Sequence, residues 1–160
     1  VKEGEVVVDM FAGVGPFAIH IAKRVPKVLV YAIDINPDAY RYLLKNIELN
    51  RVEDKVKPML GDCREIVDRA LAGKADRVVM NLPEKAEEYL PWACKALRAE
   101  GGVIHFYCFS EEPKAVEKAV ERALAGVERG RRSVREVLAK RRVKAVAPHQ
   151  WQIGLDLLVA

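Results

Sequence analysis

The chain has 160 residues, 51% hydrophobic and 31% charged, with a formal net charge of +4. That is length enough for one domain with a real core, and the composition excludes disordered, collagen-like and disulfide-stapled classes. No apolar run reaches the ~18 residues of a membrane span, and the opening Val1-Lys2-Glu3-Gly4-Glu5 is not a signal peptide. Cys63, Cys94 and Cys108 are odd in number and lack metal-type spacing, so the expectation is a reducing cytoplasm, no metal site and no membrane partner.

The β-branched run Val6-Val7-Val8 ends at Asp9, a glycine-rich turn follows, and an apolar helical pattern begins at Phe17. Pro26 is expected to end that helix. Val28 to Ile33 reads as a second strand, apolar enough to be buried on both faces, and ends at Asp34. Asn36-Pro37 then starts a helix with a capping amide and a first-turn proline. Val56 to Leu60 is a third strand, ending at Gly61-Asp62-Cys63, and Ile66 to Leu71 a helix closed by Gly73. Asp76 to Met80 is a fourth strand, ending at Asn81-Leu82-Pro83. Tyr89 to Leu97 is helical, Val103 to Cys108 a fifth strand, and Val116 to Val127 a helix with one clean apolar face.

This alternation predicts an α/β fold with a doubly wound, mostly parallel sheet. Val134 to Val146 and Ile153 to Val159 have no helix between them, so the sheet should close in an antiparallel pair turning at Ala147-Pro148-His149-Gln150. The expected organisation is one catalytic domain over residues 1–160. Its first strand begins almost at once and Val1 is not an initiator Met, which predicts a fragment of a longer protein.

Ligands of open α/β sheets bind beyond the carboxyl ends of the strands. Four strands here end in an acid or amide: Asp9, Asp34, Asp62 and Asn81. Asp34 suits a ribose diol, or a helix cap; Asn36 already supplies that cap. Asp62, beside Cys63, is either an acceptor for an adenine amino group or an N-cap, and the two roles are compatible. Gly13 and Gly15 let the backbone turn and a ligand approach. With Ala18 they loosely satisfy a dinucleotide fingerprint, so a nicotinamide dehydrogenase is a rival. Two acids beside the loop count against a polyphosphate.

Asp9-x-Phe11-x-Gly13-x-Gly15 resembles the first motif of class I S-adenosylmethionine (SAM) methyltransferases. Asn81-Leu82-Pro83 resembles the N-P-P-Y element of base-modifying methyltransferases, but Leu82 and Glu84 replace a proline and the stacking aromatic, which argues against exocyclic amine methylation. Together, D-M-F-A-G-V-G-P-F, D-I-N-P and N-L-P before G-G-V-I-H-F-Y are similar to the archaeal-type tRNA (guanine-37-N1)-methyltransferase family over nearly the whole chain.

The resemblance implies the class I methyltransferase fold. It implies SAM at Asp9, Phe11, Gly13, Gly15, Asp34, Ile35, Asn36, Asp62, Cys63 and Asn81, with Asn81 and Pro83 shaping the site of the target guanine. The general-base glutamate and base-holding arginines of that family lie upstream of the first motif, outside this chain. The implied partner is the tRNA anticodon region, and a monomer is expected. The basic run Arg131, Arg132, Arg135, Arg141, Arg142 and Lys144 is either a phosphate-contacting strip or a charged edge strand. His105 reads as a satisfied core histidine and Cys108 as a small buried residue at a strand end. Two alternatives stand beside N1 methylation: aminocarboxypropyl transfer to the same nucleoside, and a SAM-binding module without turnover.

Overall fold

A computed structural model describes all residues, 1–160. One seven-stranded sheet carries the chain: β1 (Val6–Asp9), β2 (Leu29–Asp34), β3 (Val56–Leu60), β4 (Arg77–Met80), β5 (Gly102–Glu111), β6 (Val134–Ala147) and β7 (Gln150–Val159). The spatial order is β3-β2-β1-β4-β5-β7-β6. The first five strands are parallel, and β7 runs antiparallel between β5 and β6. The order reverses between β1 and β4, the place where an open sheet of this kind leaves a crevice.

Helices α1 (Pro16–Arg24) and α2 (Pro37–Asn50) cover one face, where Val7, Val30, Ala32 and Val79 pack with Ala18, Ala22, Leu43 and Ile47. The other face buries Val8, Ile33, Met80, Ile104, Phe106 and Leu155 against α4 (Ala86–Ala96) and α5 (Ala115–Arg129). Each such side chain contributes roughly 1.5–3 kcal/mol of transfer free energy. The two latter helices approach closely because α5 has no side chain at Gly126: a Cβ there would sit 2.3 Å from the Leu90 side chain of α4. No helix is long and apolar enough to cross a membrane.

Several boundaries move from their sequence-based positions. Helix α1 ends at Arg24, with Val25 extended ahead of Pro26 as expected and its N–H closing on the Ile21 carbonyl. The expected Ile66–Leu71 helix is a short α-turn, α3 (Cys63–Ile66), that widens into a π-helical turn over Val67–Leu71. Helix α4 starts at Ala86, three residues before Tyr89. Strand β5 continues past Cys108 to Glu111 because β7 pairs with it along its whole length, from Gly102↔Val159 to Glu111↔Gln150. Cys108 is therefore mid-strand and fully buried, and burial pushes its thiol up to about 11. The closing turn shrinks to Pro148-His149 for the same reason, since Ala147 and Gln150 already pair. His105 is half-buried rather than in the core, and its Nδ1 lies 2.7 Å from Asp156 Oδ1.

Candidate functional site

The carboxyl ends of β1, β2, β3 and β4 surround a cavity of about 250 Å³. Its lining includes Phe11, Asp34, Ile35, Asp62, Cys63 and Asn81. Six predicted residues from four separate stretches of sequence thus converge on one space. Met10, Gly61, Leu82 and Tyr89 complete the wall. Tyr89 comes from α4 and meets Phe11 edge-on at 5.0 Å between ring centres, a contact no local pattern announces.

Asp34 is fixed by the backbone around it. Its Oδ2 accepts from Gly13 N–H at 2.7 Å and its Oδ1 from Asn36 N–H at 2.8 Å. Each oxygen keeps a second lone pair. Gly13 has φ +56°, and a Cβ there would meet nothing within 4 Å, so the space above the loop is open. Gly15, at φ +91°, has a different role: a Cβ would lie 2.5 Å from Leu43 of α2. It lets α1 pack onto α2 and does not line the cavity. Asn36 lies outside the lining as well. Its Oδ1 caps α2, accepting from Asp38 N–H at 2.9 Å and Ala39 N–H at 3.4 Å.

Asp9 is 1% exposed and does not line the cavity directly. Oδ1 accepts a long bond from Phe11 N–H at 3.4 Å, and Oδ2 has no partner. Burial raises its pKa to about 7; the Phe11 bond opposes this and neighbouring Asp34 adds to it. A buried carboxyl so poorly satisfied is held ready for a cationic or donor group. Asp62 caps α3 through Arg64 N–H at 2.8 Å and also pairs with the Arg64 guanidinium, which holds its carboxyl below the usual range. Burial pushes the Cys63 thiol up to about 12, so it is a wall and not a nucleophile.

Pro83 faces a separate cleft, between the loop after β4 and α5, that shares no lining residue with the first. Its carbonyl accepts from Phe109 N–H at 3.3 Å, which ties the Asn81–Pro83 loop to β5.

The basic run divides. Arg132 is spent on the carbonyls of Leu97, Arg98 and Ala99. Arg141 pairs with Asp156, and Arg142 pairs with Glu112 and lies over the Trp151 ring. Arg131, Arg135 and Lys144 have no ion-pair partner; the latter two lie exposed on edge strand β6.

Sheet order, reversed tail and ligand crevice define a class I methyltransferase fold. The model of the TRM5/TYW2 methyltransferase domain matches residues 1–134, and the chain belongs to that family. It is 46% identical over 159 residues to the tRNA (guanine(37)-N(1))-methyltransferase Trm5b of Pyrococcus abyssi, covering 99% of this chain and 45% of that protein. The crystal structure of that relative superposes with a TM-score of 0.87, covering 100% of this chain and 46% of the other. The tRNA(Phe) (4-demethylwyosine(37)-C(7)) aminocarboxypropyltransferase of Methanocaldococcus jannaschii is 38% identical over 155 residues, 97% of this chain and 60% of that one. A crystal structure of M. jannaschii TYW2 in complex with AdoMet matches with a TM-score of 0.89 at 37% identity, over 99% of this chain and 69% of that one. The chain spans about half the length of the curated relatives it matches.

Proposed function

We propose that the cavity binds S-adenosylmethionine and that the chain takes part in methyl transfer to N1 of guanine 37 in tRNA. The observation that carries this reading is the convergence of Asp34, Asp62 and Asn81, from three strand ends, on one cavity beside the open Gly13 turn. Family membership and the AdoMet complex of a relative support it. The residues fit the cofactor: Asp34 has lone pairs left for a ribose diol, and Asp9 Oδ2 is an orphaned buried acceptor suited to an ammonium group.

When bound, the cofactor supplies an electrophilic methyl group on a sulfonium. Asp34 and Asp62 would orient its nucleoside part, while Asn81, which lines the same cavity with one acceptor and two donors, would hold the edge of the target base. Pro83 fixes the loop that carries Asn81. Guanine N1 carries a proton that must leave, and no histidine lines the cavity. In this reading the chain provides the cofactor site and part of the base site. Proximity and orientation supply most of the rate in such an arrangement. Arg131, Arg135 and Lys144 offer free cations for RNA phosphates; such contacts position without specifying sequence.

Aminocarboxypropyl transfer to the same nucleoside is the second reading, favoured by the 38% identity to a transferase of that kind. The mass of the modified nucleoside separates the two. The first experiment is calorimetric titration with SAM, with Asp34→Ala and with NAD as controls. Micromolar SAM binding, weakened at least tenfold in Asp34→Ala and absent for NAD, is the expected result. Folded protein that ignores SAM would remove the cofactor assignment.

A further inference from the structure

We propose that Arg64 sets how strongly the cavity distinguishes an amino-bearing purine from a keto-bearing one, because its guanidinium competes with the purine for the carboxylate of Asp62. This rests on the reading that the cavity takes the adenosine end of the cofactor. Asp62 lines the cavity, but neither of its oxygens is free. Oδ1 accepts from Arg64 backbone N–H at 2.8 Å and from Arg64 Nε at 3.0 Å. Oδ2 accepts from Nε at 3.1 Å and from Nη2 at 2.5 Å. The single Nε–H is shared between the two oxygens, so three N–H groups occupy most of the about four lone-pair sites a carboxylate offers.

An exocyclic amine entering the cavity therefore meets a carboxylate engaged on both oxygens, and gains a full hydrogen bond only by displacing one of these donors. The backbone N–H is the first-turn donor of α3 and leaves only if that turn frays. The guanidinium has somewhere else to rest. It lies 5.4 Å over the Tyr89 ring and 5.9 Å over the Trp92 ring, and its side chain is 47% exposed. It can give up a hydrogen bond to Asp62 and keep both aromatic faces. A keto oxygen at the same position gains nothing from Asp62 in either case and is repelled by it. Removing Arg64 leaves Asp62 capping α3 with unfilled lone pairs, so the amine gains and the ketone does not.

The test is calorimetric titration of adenosine and inosine into the 160-residue chain and its Arg64→Ala, Arg64→Gln and Asp62→Asn variants, with SAM titrated alongside. The ratio of adenosine to inosine affinity is internal to each variant, so a loss of folded fraction cancels. Expected is a rise of at least threefold in both Arg64 variants and a collapse toward unity in Asp62→Asn. An unchanged or lower ratio in the Arg64 variants, or an unchanged one in Asp62→Asn, overturns the proposal. If SAM binds and the ratios do not move, only this proposal fails. If the unaltered chain binds neither SAM nor adenosine, the cofactor reading fails and takes the proposal with it.

Discussion

The cavity and the β6–β7 hairpin are built on opposite lines. Around the cavity, short strands of four to six residues each deliver one polar group at or just past the end, and backbone N–H groups hold Asp34 and Asp62 in place. In the hairpin, β6 runs for 14 residues along the sheet edge and is largely exposed, with its cations reaching into solvent or pairing singly with Asp156 and Glu112. Buried polar groups are energetically coupled to folding, whereas exposed charges contribute little to it. Substitutions in the first region should therefore move stability and ligand affinity together. In the second they should leave stability alone and change only long-range attraction.

The largest expected effect is the pH dependence carried by Asp9. Its folded-state pKa of about 7 lies above the ordinary 3.8, so the folded chain holds the proton more tightly than the unfolded chain. Stability should fall as pH rises from about 4 to about 7 and be level above that, by at most on the order of 4 kcal/mol. Urea unfolding across that range should show the slope in the unaltered chain and not in Asp9→Asn; equal slopes would contradict the burial of an uncompensated carboxyl. Next is Asp34→Ala, which removes acceptors from Gly13 and Asn36 N–H. SAM affinity should drop by roughly 1.5–3 kcal/mol, read by calorimetry, as for other hydrogen bonds to a charged group.

Asn36→Ala sharpens the comparison within the cavity region. Loss of the α2 cap should cost about 1 kcal/mol in denaturant unfolding while SAM affinity holds. A large loss of affinity would instead put Asn36 at the ligand. The smallest effects on stability belong to Arg135→Ala and Lys144→Ala, each within ~0.5 kcal/mol. Each should flatten the salt dependence of tRNA binding by about one phosphate contact. A hairpin that bears no RNA would show no change in that slope.

Much of this contrast was legible in the residues. Asp9, Asp34, Asp62 and Asn81 mark strand ends because each stops an apolar run, and the parallel topology brings such ends together. What escaped the sequence was non-local. The length of β5 is set by β7, whose residues pair with it across separations from Glu111↔Gln150 to Gly102↔Val159, far outside any local window. Tyr89 reaches the cavity only because α4 folds back over β4. The occupation of Asp62 by Arg64 depends on one rotamer and two rings from another helix. The same limit applies to the basic run. Composition showed the charge, but only the packing separates Arg132, consumed by three carbonyls, from Arg135 and Lys144.

The missing side chain at Gly126 reaches further than helix packing. Leu90, which fills the space it leaves, is the next residue along α4 from Tyr89, and Tyr89 is a wall of the cavity. Arg122 and Arg129 of α5 also fasten Glu87, one turn earlier on α4. Helix α5 thus works as a backstop. A single methyl added at Gly126 would lever α4 and reset the width of the ligand site from behind, without altering any residue that a ligand touches.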